Sequence, residues 1–464
     1  MVTNVEKADL RLLPRAPINP LPYRHQIRAL RAFHSGFAAL RDAGGPVTRL
    51  HLAPKWMMPE VVIVTSPQGA HDVLGRSGAH LEKTVVHQEV RNLVGGNLFT
   101  LTYDPWLPRR RSLQPVFTKR RVCDFAGHMA QAADTVVGGW RDDTDVDLDT
   151  ECRRLTLRAL GRSVLGQDLD ERTNEFADSM RVAMGYASDR SLRPLRAPVW
   201  LPTPARRRAR AASSTMRRVA DDILRDCRAD PTLDAPLVRA LLEATDPDTG
   251  RALSDDEIAS DLIAFMLAGH DTTATTLTYA LWALGHHPDV QQQVYAEVAS
   301  LGERQLTPQD VPQLGYTVQV LHEALRLCPP AAAVARMAMC DVAIDGYRVE
   351  AGTMIGVGIF ALHRDPALWD RPLDFDPDRF SPELSKRRDR WQYIPFGAGP
   401  RSCVGDHFAM LEATLALAGI IRHVEIRSSG PDFPMTVPFT LVAAAPIPAR
   451  VRFRRTGRPP SEPL

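Results

Sequence analysis

The chain has 464 residues, 44% of them hydrophobic and 24% charged, with a net charge of +2. That composition is ample for a large buried core and excludes a disordered chain. The near-zero charge balance removes any global bias toward nucleic acid.

The first 22 residues, "MVTNVEKADLRLLPRAPINPLP", form a proline-rich lead-in. They lack a signal-peptide core, and no later apolar run is long enough to cross a bilayer, so a cytoplasmic protein without a transmembrane segment is expected. "VTRLHL" (47–52) and "EVVIVTS" (60–66) read as short strands. From about 105 to 330 the periodicity is mostly helical and punctuated by prolines. "SDDE" (254–257) is a capping box, with Ser254 as N-cap and Glu257 three residues on. It opens a helix that runs to Pro288 and is apolar on most faces, so it should be central and buried. At ~1.5 Å per residue its length is roughly 45–50 Å. After residue 330, strand-like pieces alternate with turns, and Asp345-Gly346 marks a hairpin. A further helix is predicted over 404–422. There are no repeats and no Gly/Ser linker, so one mainly α domain with a minor β part is expected over 1–464.

Six cysteines are scattered through the chain, at 123, 152, 227, 328, 340 and 403. None forms a CxxC pair, which fits a reducing compartment. Only one sits in a context that asks for chemistry. "FGAGPRSCVGDHFAM" (396–410) places Cys403 among Gly397, Gly399 and Gly405, directly before a helix. A helix N-terminus favours a thiolate. The glycines let the backbone approach something flat and bulky, and Arg401 can pair with a carboxylate on it. A thiolate ligand to haem iron meets each requirement. A bare buried cysteine is more often a small hydrophobe. Cys403 and His407, four residues apart, could also hold zinc, but no second ligand pair is evident.

Phe396, Gly397, Gly399, Arg401, Cys403 and Gly405 together resemble the F-G-x-G-x-R-x-C-x-G haem loop of the cytochrome P450 family. Other stretches resemble that family in the right order. "EALR" supplies Glu323 and Arg326, and "PDRF" supplies Arg379, which the resemblance joins in a buried network. "AGHDTT" (268–273) carries Ala268, Gly269, Asp271 and Thr272. Gly269 weakens a helix, and the Thr272 hydroxyl can bond back to the Ala268 carbonyl, which would open a notch in the central helix. The resemblance places that notch over the iron, with Asp271 and Thr272 delivering protons. "DPWLPRRRSLQPVF" (104–117) carries Trp106 and Arg110 toward the haem propionates, joined by Arg336 and, less specifically, His363. Relatives often have histidine where this chain has Arg109, and Pro108 is expected in the first turn of that helix.

The resemblance implies a cytochrome P450 fold holding haem b, with a long central helix over it. It implies a monooxygenase that uses O2 to hydroxylate or epoxidise a hydrophobic small molecule. No flavin or nicotinamide fingerprint and no iron–sulfur cysteine set is present, so electrons are expected from a separate ferredoxin or flavodoxin with an NAD(P)H-dependent reductase. "RRRSLQPVFTKRR" (109–121) offers a basic docking face for such a partner. Substrate contacts are expected from 85–98, 264–268, 329–335 and 437–442. The arginine-rich stretch 189–210 falls at the family's mobile lid and can face substrate, membrane or solvent. The alternatives are a non-catalytic haem-thiolate sensor and a partner-independent peroxygenase or isomerase. The Asp271/Thr272 pair argues against both.

Overall fold

The computed structural model describes residues 10–52, 58–75, 80–168, 173–191, 193, 196–198, 200–245 and 249–454. The elements that build the site are, in chain order, strands β1 (Val47–Leu50), β2 (Val61–Val64) and β3 (Leu81–Glu82), then helices α1 (Val85–Val94), α2 (Tyr103–Leu113), α3 (Ala126–Gly138), α4 (Leu148–Leu160), α5 (Thr173–Ser191), α6 (Pro204–Ala229), α7 (Asp255–His286) and α8 (Gly315–Leu327), strands β4 (Val334–Ala338) and β5 (Met354–Val357), and helix α9 (Asp406–His423).

The centre is α7. Ser254 accepts from the Glu257 amide while the Glu257 carboxylate takes the Ser254 amide, so both ends of the expected capping box are made. Residues from Ile258 to Leu284 are almost continuously buried, because α4, α6, α8 and α9 pack around the helix. A helix apolar on every face is stable only when it is enclosed in this way.

The predicted strands at 47–52 and 60–66 appear as β1 and β2, an antiparallel pair with Val47 opposite Val64. They belong to a five-stranded sheet in the order β1-β2-β5-β4-β3. Its β2–β5 contact is parallel and the others are antiparallel. The Asp345-Gly346 hairpin joins Val342–Ile344 to Tyr347–Val349, with φ of 48° and 80° at the two turn residues. Positive φ at both central positions is the geometry such a turn needs.

Two local expectations are corrected. The central helix is not interrupted at 268–273: α7 stays helical throughout, with the Thr272 hydroxyl donating to the Ala268 carbonyl at 2.7 Å. Gly269 serves close packing, since a Cβ there would come within 2.9 Å of Leu160 on α4. Pro108 lies inside α2 and not in its first turn, because the helix starts five residues earlier at Tyr103.

Candidate active site

The cysteine loop enters the molecule after a 3-10 turn at Pro377–Phe380 and a short helix at Pro382–Arg387. Gly399 has φ of 73°, and a Cβ there would stand 1.9 Å from the Leu74 carbonyl, so only glycine fits. The Cys403 amide donates to the Phe396 carbonyl at 2.9 Å, which closes the loop on itself. Gly405 has an ordinary φ and caps α9; nothing stands near its Cβ position or that of Gly397.

Cys403 lines a cavity of about 320 Å³. Phe396, Gly397, Arg401 and Gly405 share that wall, and Ala268, Gly269 and Thr272 of α7 face it. Burial raises the Cys403 thiol above its usual pKa, with the Gly405 amide and Arg110 acting against it. Coordination to a metal cation would reverse that shift, because it deprotonates a thiol outright.

A cationic rim stands beside this cavity. Trp106, Arg110, Arg336 and Arg401 all line it, as expected. Arg110 donates to the Ser402 carbonyl at 3.2 Å and Arg401 to the Leu101 carbonyl at 2.9 Å. The Arg401 guanidinium lies 4.7 Å from the Trp106 ring centre. Lys83, which the sequence reading missed, also lines the cavity, with its ammonium 4.9 Å from the Phe99 ring. Burial lowers its pKa well below the usual lysine value, and Arg336 and Arg401 push it further down. Arg336 is lowered to about 10 by burial and by Arg401, with Glu82 opposing. Buried cations that destabilise one another call for an anion. A flat macrocycle with two carboxylates, gripped by a thiolate, fits the cradle, its donor and its charge deficit.

Arg109 and His363 stand apart from that rim. Arg109 turns away from the cavity to pair with Asp261 and with Glu257, the latter at 3.1 Å. His363 is fully buried elsewhere, its Nε2 accepting from the Ile394 amide at 2.9 Å. Burial pushes its pKa down to about 3, so it is neither a surface residue nor a propionate partner.

Glu323 and Arg326 are completely buried and share two hydrogen bonds of 2.7 Å. Arg326 also donates to the carbonyls of His363, Pro372 and Asp374. Arg379 completes the network, 3.5 Å from Glu323. Burial raises the Glu323 pKa, against the pull of Arg326.

Thr272 faces the cavity, whereas Asp271 does not line it. The Asp271 carboxylate is held by Arg153 of α4 and the Thr440 hydroxyl. Burial works to raise its pKa, but Arg153 and Thr440 bring it below the usual value. Of the expected substrate segments, Leu98, Ala264, Phe265, Pro330, Ala331 and Val334 line the cavity. Residues 437–442, expected to line it, do not; Phe439 instead packs on Phe99 at 5.7 Å between ring centres.

In the 189–210 stretch, residues 192, 194, 195 and 199 lie outside the described residues. Two of its arginines are structural. Arg190 forms a buried 2.9 Å pair with Glu89 of α1, and Arg206 gathers the carbonyls of Ala197, Pro198 and Leu201. All six cysteines are free, and His407 is exposed beside Asp406. Among the described residues no cluster of three or more His, Cys, Asp or Glu side chains could hold a metal ion. No described helix is long and apolar enough to cross a membrane.

A cysteine aimed into a carbon-lined cavity, a ring of buried cations and an unbroken helix opposite define a haem-thiolate protein. The cytochrome P450 family model matches residues 14–453, and the chain belongs to that family. It is 31% identical to cyclooctat-9-en-7-ol 5-monooxygenase of Streptomyces melanosporofaciens over 84% of each chain. It is 30% identical to pentalenene oxygenase of Streptomyces avermitilis, over 92% of this chain and 93% of that one. The crystal structure of the cytochrome P450DA heme domain superposes with a TM-score of 0.83 at 27% identity, covering 96% of this chain and 98% of that one. The chain is thus an oxygen-incorporating oxidoreductase with haem b as its cofactor.

Proposed function

We propose that this cytochrome P450 oxygenates a cyclic terpenoid, a hydrocarbon or one of its alcohols, with electrons from a separate ferredoxin or flavodoxin and its reductase. The observation that carries the substrate class is the cavity wall opposite Cys403. Leu98, Phe99, Phe117, Leu160, Ala264 and Phe265 present carbon to the substrate, a lining suited to a ligand held by area and shape. The names of the two Streptomyces relatives point to the same class.

When bound, the haem would supply oxygen activation, which an anionic sulfur ligand favours. Cys403 would be that ligand. Arg110, Arg336 and Arg401, with Lys83, would neutralise the haem carboxylates, and Trp106 would help to orient them. Glu323, Arg326 and Arg379 brace the fold as a network. Thr272 holds a proton at its hydroxyl inside the cavity, and Asp271 brings protons to it by exchanging Arg153 for a cavity-facing orientation. The whole chain acts as one haem domain in the cytoplasm. Arg111, Lys119, Arg120 and Arg121 are exposed on and after α2 and give an acidic electron donor a basic face, which tunes on-rate more than affinity.

The test is turnover of a cyclic terpene panel with a surrogate ferredoxin, its reductase and NADPH. An oxygenated terpene and a low-spin to high-spin shift on substrate binding are expected. A shift only with linear fatty acids or aromatic acids would overturn the substrate class. Product formation from peroxide alone, with none from the reductase chain, would overturn the electron route.

A further inference from the structure

The loop between α1 and α2 forms one wall of the cavity through Leu98 and Phe99. Its first half is organised by its own side chains. Asn97 accepts from the amides of Phe99 and Thr100, both at 3.1 Å. Its far end is tied to the cysteine loop through Arg401 and the Leu101 carbonyl. Between those points one side chain of the central helix reaches out to it. Asp261 of α7, completely buried, accepts the Leu98 amide at 2.7 Å through one carboxylate oxygen. Its other oxygen takes Arg109, which turns back to Glu257 at the start of α7. At the end of α1, Gly95 presses on the same helix one residue from Asp261: its φ is 85° and a Cβ would stand 2.2 Å from the Ser260 hydroxyl.

Two of the three adjacent arginines of α2 therefore do different work. Arg110 serves the cysteine loop, and Arg109 serves Asp261. The geometry points to Asp261 as the specificity-positioning residue of this enzyme: its carboxylate, oriented by Arg109, fixes the Leu98–Phe99 wall and so sets which ligands fit over the haem. The physical reason is that a buried carboxylate with two donors is rigid, and it makes a stronger bond to an amide than a neutral acceptor does. An ordinary core ion pair would stabilise the fold without reaching a cavity wall. This pair ends on the backbone of a residue that lines the cavity. The proposal uses the haem only as a spectroscopic reporter, so it stands or fails independently of the terpenoid reading.

The test compares Asp261→Asn, which keeps an acceptor for Leu98, with Asp261→Leu, which removes it. Two readouts are taken on the full-length holoprotein. Hydrogen exchange is followed at the Leu98 amide. Affinities for imidazole and phenylimidazole are read from the haem spectrum; both ligands bind iron, and the second is bulkier by a phenyl ring. In the Leu variant, Leu98 exchange should rise about tenfold or more, as expected for loss of a charge-assisted bond. The ratio of the two affinities should change by about tenfold, while in the Asn variant it changes by less than about threefold. An unchanged affinity ratio in the Leu variant overturns the proposal, as does a ratio that shifts equally in both variants. Should the Leu variant fail to bind haem, the unaltered protein decides: Leu98 should be the most protected amide between residues 96 and 101, and exchange as fast as its neighbours overturns the proposal.

Discussion

Asp271 and Thr272 are neighbours on α7 and face opposite ways: the threonine lines the cavity and the aspartate is tied to Arg153 and Thr440 behind it. Proton delivery through this pair thus requires the aspartate to leave its arginine. Asp271→Asn should slow product formation by about 10²-fold, the usual weight of a proton-transfer group. It should also raise the solvent isotope effect. Thr272→Ala should keep NADPH consumption near normal while most electrons fail to appear in product. Product and NADPH measured in the same reaction separate the two. Tight coupling in the alanine variant would contradict the threonine's role.

Arg336 is a buried cation and Lys83 a half-buried one, each with few partners of its own. Lys83→Met and Arg336→Leu should each weaken haem retention by about 10- to 100-fold, the weight of one hydrogen bond to a charged group. Transfer of haem to apomyoglobin measures this directly. Unaltered transfer rates in both variants would show that these cations do not hold its carboxylates.

The Glu323–Arg326 pair has no exposed atom to relax into solvent. Arg326→Leu leaves the carboxylate stranded and should cost about 3–5 kcal/mol. It also releases three backbone carbonyls. Denaturant unfolding of the holoprotein should show the loss, together with poor haem incorporation. A loss under about 1 kcal/mol would mean water reaches the site.

Glu412 on α9 is fully buried, and neither carboxyl oxygen has a hydrogen-bond partner among the described residues. Burial raises its pKa well above the usual 4.5, with the nearby Thr273 hydroxyl opposing. The folded protein therefore keeps a proton that the unfolded chain releases. This contribution is fully present below pH 4.5 and is lost as pH rises toward the folded value. Glu412→Gln lacks the titration. Across that window the variant should gain on the natural protein by up to about 1.4 kcal/mol per pH unit. Unfolding at stepped pH measures the gap; a constant gap would mean Glu412 is ionised in the fold.

Much of this was legible because its causes are local. The capping box at Ser254, the turn at Asp345-Gly346 and the spacing around Cys403 depend on residues within a few positions of one another. Glu323 and Arg326 can be paired from their i, i+3 spacing, but Arg379 could be joined to them only through the family resemblance, and the structure brings all three together. What the sequence did not reveal depends on which way a side chain turns in three dimensions. Arg109 and Arg110 are alike in sequence, and packing sends one to Asp261 and the other to the cysteine loop. His363 looked available because nothing near it in the chain shows that Ile394 will close over it. Lys83 stands in a stretch without periodicity, and only the pairing of β3 with β4 brings it beside Arg336. Asp271 carried the right motif, but its partner Arg153 lies 118 positions away.

The most direct measurement is the carbon monoxide difference spectrum of the reduced protein beside that of Cys403→Ser. The natural protein should show the strongly red-shifted Soret band of thiolate-ligated haem, and the serine variant should lose it. A band like that of a histidine-ligated globin in the native protein, or a red-shifted band surviving without the Cys403 sulfur, would contradict ligation at Cys403.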